Sequence, residues 1–206
     1  MSDNVVALPQ RGKTYLTGPN RTADSTGTTS KAIEEIRKRF KDLDYSTANT
    51  ATPRSGGEVW ATLVRNSSGR TLLPKMAVVW KAGKIGKEVD RFTNQESGPG
   101  TAGIVDEWLP STGVAANDYF WCVTKGPSLC LKSVDGNTIA HNAWVTAITA
   151  AGTTDSTTAG RVTAVAATTE STTTLSHALN RIGIAMSTSN TNGASTNFLV
   201  YVDLPS

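Results

Sequence analysis

The chain has 206 residues, 38% of them hydrophobic, which is enough to bury one sizeable core or one core with an appendage. Its 20 Lys and Arg face 17 Asp and Glu, a surplus of three that leaves no concentrated basic face of the kind nucleic-acid binding needs, outside one short segment at Arg37-Lys38-Arg39. Thr is unusually frequent, which favours exposed strands and polar loops over helices.

Met1-Ser2-Asp3-Asn4 lacks the basic start and apolar core of a signal peptide, and no run approaches the length needed to span a bilayer. The expected setting is a reducing cytoplasm with no membrane partner. From Val5-Val6-Ala7-Leu8-Pro9 to Ser25-Thr26-Gly27-Thr28-Thr29 the sequence holds few large apolar side chains and many Gly, Pro, Asn, Ser and Thr, too little to order itself by burial. Extended, such a segment reaches on the order of 100 Å, far enough to cross a neighbouring subunit and become ordered there. It reads as an arm.

Ser30 then offers an N-cap, and Ile33, Ile36, Phe40 and Leu43 recur at helical spacing. Glu34 and Glu35 come early and Arg37, Lys38, Arg39 and Lys41 late, as a helix dipole favours, so the pattern predicts a short helix over about 31–44. Arg37-Lys38-Arg39 reads as a phosphate or acidic-partner contact or as a solvated last turn, the second being the ordinary fate of such a run. A Thr, Ala and Pro stretch ending at Pro53-Arg54-Ser55-Gly56-Gly57 reads as a linker, which divides the chain into an arm, 1–53, and a β-rich module, 54–206.

Beyond the linker the period changes to two. Strands are predicted at Glu58 to Arg65, Met76 to Lys81, Ile104 to Glu107, Tyr119 to Thr124, Leu129 to Lys132, Ala143 to Ile148, Arg161 to Ala166, Ile182 to Met186 and Phe198 to Asp203. Turns are expected at Asn66-Ser67-Ser68-Gly69 and at Lys125-Gly126-Pro127-Ser128, and the Thr-rich stretches 151–158 and 168–174 as surface loops, with one helical turn at Leu175 to Leu179. Short strands between such turns predict a mainly β fold, an antiparallel sandwich or barrel. Two stretches also share one order of landmarks. Thr71 to Trp80, Gly103 to Glu107 and Asp118 to Thr124 are answered by Thr138 to Thr146, Gly183 to Met186 and Asn197 to Asp203, which suggests an internal duplication.

Few residues carry chemistry. Gly98-Pro99-Gly100-Thr101-Ala102-Gly103 matches the dinucleotide pattern in letter, but a strand follows it where a helix would have to open, so it reads as an inter-strand loop and implies no cofactor. Asp106 and Glu107, if on a strand, point to opposite faces and share no substrate. His141 and His177 match no metal spacing, and no Ser, His and acid motif marks a nucleophile, so neither catalytic nor metal residues are expected. Cys122 and Cys130 flank the expected turn; a disulfide between them is disfavoured in a reducing compartment. Of five tryptophans, Trp60, Trp80, Trp121 and Trp144 fall in predicted strands, where packing is the usual role, and Trp108 at a strand exit is the candidate exposed aromatic.

The succession Gly103-Ile104-Val105-Asp106-Glu107, Val114 to Pro127, Ala159-Gly160-Arg161-Val162-Thr163, Arg181-Ile182-Gly183-Ile184-Ala185-Met186 and Leu199-Val200-Tyr201-Val202-Asp203-Leu204 resembles the capsid decoration, or cement, proteins of tailed bacteriophages, over roughly 58–204. That resemblance implies a small, non-enzymatic β module on the exterior of a mature virion head, assembled in the host cytoplasm. It implies the major capsid protein as partner and a homo-oligomer, often a trimer. The arm and helix depart from the shortest members, and Arg11, Lys13, Tyr15, Arg21, Ile33, Ile36, Arg37 and Phe40 become the candidate partner contacts. The alternative from another class is a carbohydrate- or receptor-binding head appendage using Trp108.

Overall fold

The computed structural model describes residues 11–12, 37–44, 52–92, 100–133, 138–147, 160–165, 181–189 and 197–204. They are mainly β. Ten strands follow one another: β1 (Arg37–Asp44), β2 (Thr52–Asn66), β3 (Ala77–Trp80), β4 (Glu88–Arg91), β5 (Thr101–Val105), β6 (Tyr119–Leu131), β7 (Trp144–Ala147), β8 (Val162–Ala164), β9 (Arg181–Ala185) and β10 (Asn197–Asp203). All belong to one sheet in the order β1-β2-β4-β3-β5-β6-β10-β9-β7-β8, with β2 also paired to β6. β10 shows why the sequence chose strands: Phe198, Val200 and Val202 are buried, while Asn197, Tyr201 and Asp203 are exposed.

The duplication is written into the pairing. In a first unit β2 runs parallel to β4, β4 pairs with β3, β3 with β5, β5 with the start of β6, and β6 returns to β2, closing a ring. In a second unit the end of β6 pairs with β10, β10 with β9, β9 with β7 and β7 with β8, and a parallel bridge from Lys132 to Val162 closes the ring again. Even the irregularities repeat. The register shift between Val78 and Val79 against β5 recurs between Val145 and Thr146 against β9, and the bridge Leu72–Val114 recurs as Ile139–Ser189. Lys75 and Asn142, both with positive φ, occupy the same turn position before β3 and β7. The pairing matches Tyr119 with Asn197, one residue from the side-by-side reading of the sequence.

Each ring is filled by side chains at matching positions. Val64, Leu72, Val78, Val89, Ala102, Val105, Phe120 and Cys122 fill the first. Cys130, Ile139, Val145, Val162, Ile182, Ala185, Phe198 and Val200 fill the second, in a cluster that also takes in Ala77, Ile104 and Val123 from the outer face of the first unit. On that face Ala61, Leu63, Tyr119 and Trp121 are covered by Phe40 of β1. Gly103 and Gly183 hold equivalent places in β5 and β9: a Cβ on Gly103 would meet Cys122 and Val123, and one on Gly183 would collide with the carbonyl of Tyr201. Backbone cannot yield as a side-chain tip can. Gly183→Ala is therefore expected to cost about 1–3 kcal/mol in urea unfolding, and an unchanged midpoint would contradict the close approach.

Several expectations fail for physical reasons. Arg37–Asp44 is a strand paired with β2, where a helix is expected; within it only Phe40 and Leu43 are apolar, and their i, i+3 spacing suits a helix, but pairing with β2 and the cover Phe40 gives Trp121 override it. Residues 31–36 lie outside the described ones. Pro53 to Gly57 is no linker but part of β2: Arg54–Gly57 bulge out opposite the single residue Asp42, so the boundary drawn at 53/54 falls inside a strand. Lys125 to Ser128 is no turn, because β6 runs straight through it, leaving β2 at Lys125 and continuing beside β10. Pro127 is tolerated at that change of neighbours. Cys122 and Cys130 therefore do not face across a hairpin; they lie about 26 Å apart along one strand, both free and buried, one in each ring. Burial pushes both thiols up, with the charge of Asp106 adding to it at Cys122 and that of Glu107 at Cys130. The sheet is mixed rather than antiparallel, and β4, whose only buried residue is Val89, gave no alternation to read. The Thr-rich stretches and Leu175 to Leu179 lie outside the described residues.

Candidate functional site

The chain's most unusual chemistry is a buried charge cluster where the first unit meets the N-terminal segment. β5 ends at Val105, and the turn after it brings Asp106 and Glu107 together rather than apart, correcting the opposite-face expectation. Arg11 donates through Nε and Nη2 to Asp106 Oδ1 at 3.1 and 2.8 Å, and through Nη2 to Glu107 Oε1 at 3.4 Å. The Gly12 N–H donates to Asp106 Oδ2 at 2.6 Å. Arg54, aimed inward by the β2 bulge, forks onto Glu107 with Nη1–Oε2 2.7 Å and Nη2–Oε1 3.0 Å. The same guanidinium holds Asp42 Oδ1 through Nη2 at 2.6 Å and Nε at 3.1 Å. Its Nη2 also reaches the Pro127 carbonyl, and the Leu129 N–H donates to Glu107 Oε2 at 3.3 Å.

Solvent barely reaches these groups. Side-chain exposure is 2% for Arg11, 1% for Asp106, 0% for Glu107 and Asp42, and 16% for Arg54. Burial works against the charge on Arg54, but hydrogen bonds to Glu107 and then Asp42 outweigh it and hold the guanidinium above its ordinary range. Such a cluster is weak as net stabilisation and strong as an address, since any other docking of these strands strands a buried charge. It ties five separate parts of the chain together: the Arg11-Gly12 segment, β1 through Asp42, β2 through Arg54, the turn after β5, and β6 through Pro127 and Leu129. The matching positions in the second unit are Met186 and Ser187, so the anchor belongs to the first unit alone.

The residues marked from sequence fall in different places. Arg11 is buried in the anchor, not presented to a partner. Phe40 is half-buried edge-on against Trp121, with ring centroids 5.1 Å apart. Arg37 is exposed on the outer face of β1 beside Arg39 and Lys41, and both arginines lie over Trp60, at 5.2 and 5.9 Å. Lys13, Tyr15, Arg21, Ile33 and Ile36 lie outside the described residues. Trp108 is only partly exposed, under Arg54 at 5.8 Å. The exposed tryptophan is Trp144, stacked by Arg181 at 3.9 Å, and Trp121 is fully buried.

Sequence reasoning missed Asp42 and Arg54 altogether. The readable signal was Asp106-Glu107 set between Ile104-Val105 and Trp108-Leu109: carboxylates that enter a core with their neighbours need cations brought to them. Among the described residues no group of His, Cys, Asp and Glu is placed to hold a metal ion. Fold and site together define a class: a duplicated, side-chain-filled β module whose N-terminal segment is anchored by buried ion pairs. No protein-family model, curated protein or solved structure matches the chain.

Proposed function

We propose that the chain is a non-enzymatic structural protein that binds the outer surface of a mature tailed-phage capsid and stabilises contacts between major capsid subunits. On this reading the two closed rings are small filled barrels and the protein works as a homo-oligomer, a trimer by resemblance, without cofactor, nucleic acid or membrane. What supports the reading is the anchored, duplicated module: ring closure builds the two units and the buried cluster fixes Arg11-Gly12 to the first of them. The ordered motif resemblance supplies the partner.

The mechanism is physical. Genome packing stresses the shell, and a clip that binds only the expanded lattice stabilises it by mass action while leaving the precursor alone. Lys13, Tyr15, Arg21, Ile33, Ile36 and the exposed Arg37 remain candidate contacts, whereas Arg11 and Phe40 hold the module together. The glycan-binding alternative rests on Trp108, whose ring is only partly exposed and lies under Arg54 at 5.8 Å. Adding the purified chain to expanded heads that lack it should raise the temperature at which they release DNA, each site contributing about 2.7 kcal/mol at a hundredfold excess over Kd. Unchanged release would sink the stabilising role.

A further inference from the structure

We infer that the outer face of the second unit is a docking surface for another copy of this chain. Trp144 pairs with Ile184 and Ile184 with Tyr201, so the three lie side by side across β7, β9 and β10. Leu199 and its opposite Leu129 form the adjoining row. Trp144 is 45% exposed and Tyr201 39%, while Ile184, Leu199 and Leu129 are half-buried. Arg181 sits over Trp144 and adds a cation to the patch. Large aromatics beside an Arg are the composition in which interface binding energy concentrates.

The internal repeat identifies the occupant. The same scaffold positions in the first unit are Ala77, Ile104 and Val123 in one row and Trp121 and Leu63 in the next, all at most 2% exposed. Ala77, Ile104 and Val123 are buried in one cluster with the second unit's Val145, Val200 and Val202. Trp121 and Leu63 lie under Phe40 of β1. Within one chain, then, this face of a unit is covered by another unit of the same fold and by the chain's own N-terminal strand. The second unit presents the equivalent face with larger side chains, Trp for Ala and Tyr for Val. A further unit of the same kind, from a second copy, fits it by the relation already present inside the chain. Such a contact joins unlike faces, so it propagates head to tail and closes into a ring when the rotation allows.

This deepens the homo-oligomer part of the proposed function but does not rest on capsid attachment, and its test needs no capsid. Sedimentation equilibrium of the full chain should give an oligomer, and Trp144→Glu with Tyr201→Glu should give a folded monomer with unchanged circular dichroism, whose unfolding midpoint no longer rises with protein concentration as the wild type's does. The milder Trp144→Ala with Tyr201→Ala should raise the dissociation constant about 100-fold or more. A monomeric wild type, or a Glu variant that keeps the oligomer, would overturn the inference. A monomeric wild type whose capsid attachment is lost in the Glu variant would assign the face to a capsid subunit, overturning self-docking while leaving the decoration reading intact.

Discussion

Replacing Arg54 by Ala is expected to cost about 3–5 kcal/mol, because it leaves buried carboxylates without their principal cation. Asp42 and Glu107 have no side-chain exposure to fall back on, and Arg11 reaches Glu107 only at 3.4 Å. For a chain of this size about 2–4 °C of melting temperature accompanies each kcal/mol, so a fall of about 6–20 °C should be visible by calorimetry. Arg54→Lys should fall between the two, since an ammonium keeps the charge but cannot fork onto Glu107 while holding Asp42. Replacing all five charged members by apolar residues of similar volume should cost far less than Arg54→Ala, because the cluster contributes address more than net stability. A loss under about 1 kcal/mol for Arg54→Ala would show that water reaches the site and the cluster does not hold the segment.

Removing residues 1–53 is expected to abolish the cooperative unfolding transition or to lower stability by most of its value. The deletion takes away Arg11, Asp42 and all of β1, including Phe40, whose ring packs on Trp121. Trp121, Leu63 and Tyr119 then meet water, at about 1.5–3 kcal/mol for each large side chain. Asp106 loses Arg11, and Glu107 keeps only Arg54 as a cationic partner. Against a typical total of about 5–15 kcal/mol these losses are decisive. Retention of the full-length midpoint would show instead that the arm is separable. Alanine substitutions at Lys13, Tyr15 and Arg21, which spare Arg11, Asp42 and β1, are therefore the ones that separate the proposed capsid contact from folding.

The β class was legible because the alternating residues of β10 and the short, continuously buried run of β5 are both strand patterns, and the duplication because the Gly-led strands keep one order in both units. What was not legible depends on distant residues. Arg37–Asp44 holds two apolar side chains at the i, i+3 spacing of a helix, and the pairing with β2 and the face of Trp121 that Phe40 covers override that local pattern. Gly56-Gly57 looks like a linker in isolation and becomes a bulge only against Asp42. Lys125 to Ser128 carries the residues of a turn, yet β6 passes from one ring to the next there. The anchor was half visible: two carboxylates among apolar neighbours announced a need for cations, while Arg11 and Arg54 come from positions far earlier in the chain that no local pattern connects to them.

Binding of the purified full-length chain to capsids tests the central claim most directly. Mixed separately with expanded and with precursor capsids of the tailed phage that the proposed function requires, then spun down, the chain should pellet with the expanded shell in saturable amounts and stay in solution with the precursor. Equal pelleting with both forms, or with neither, would contradict it.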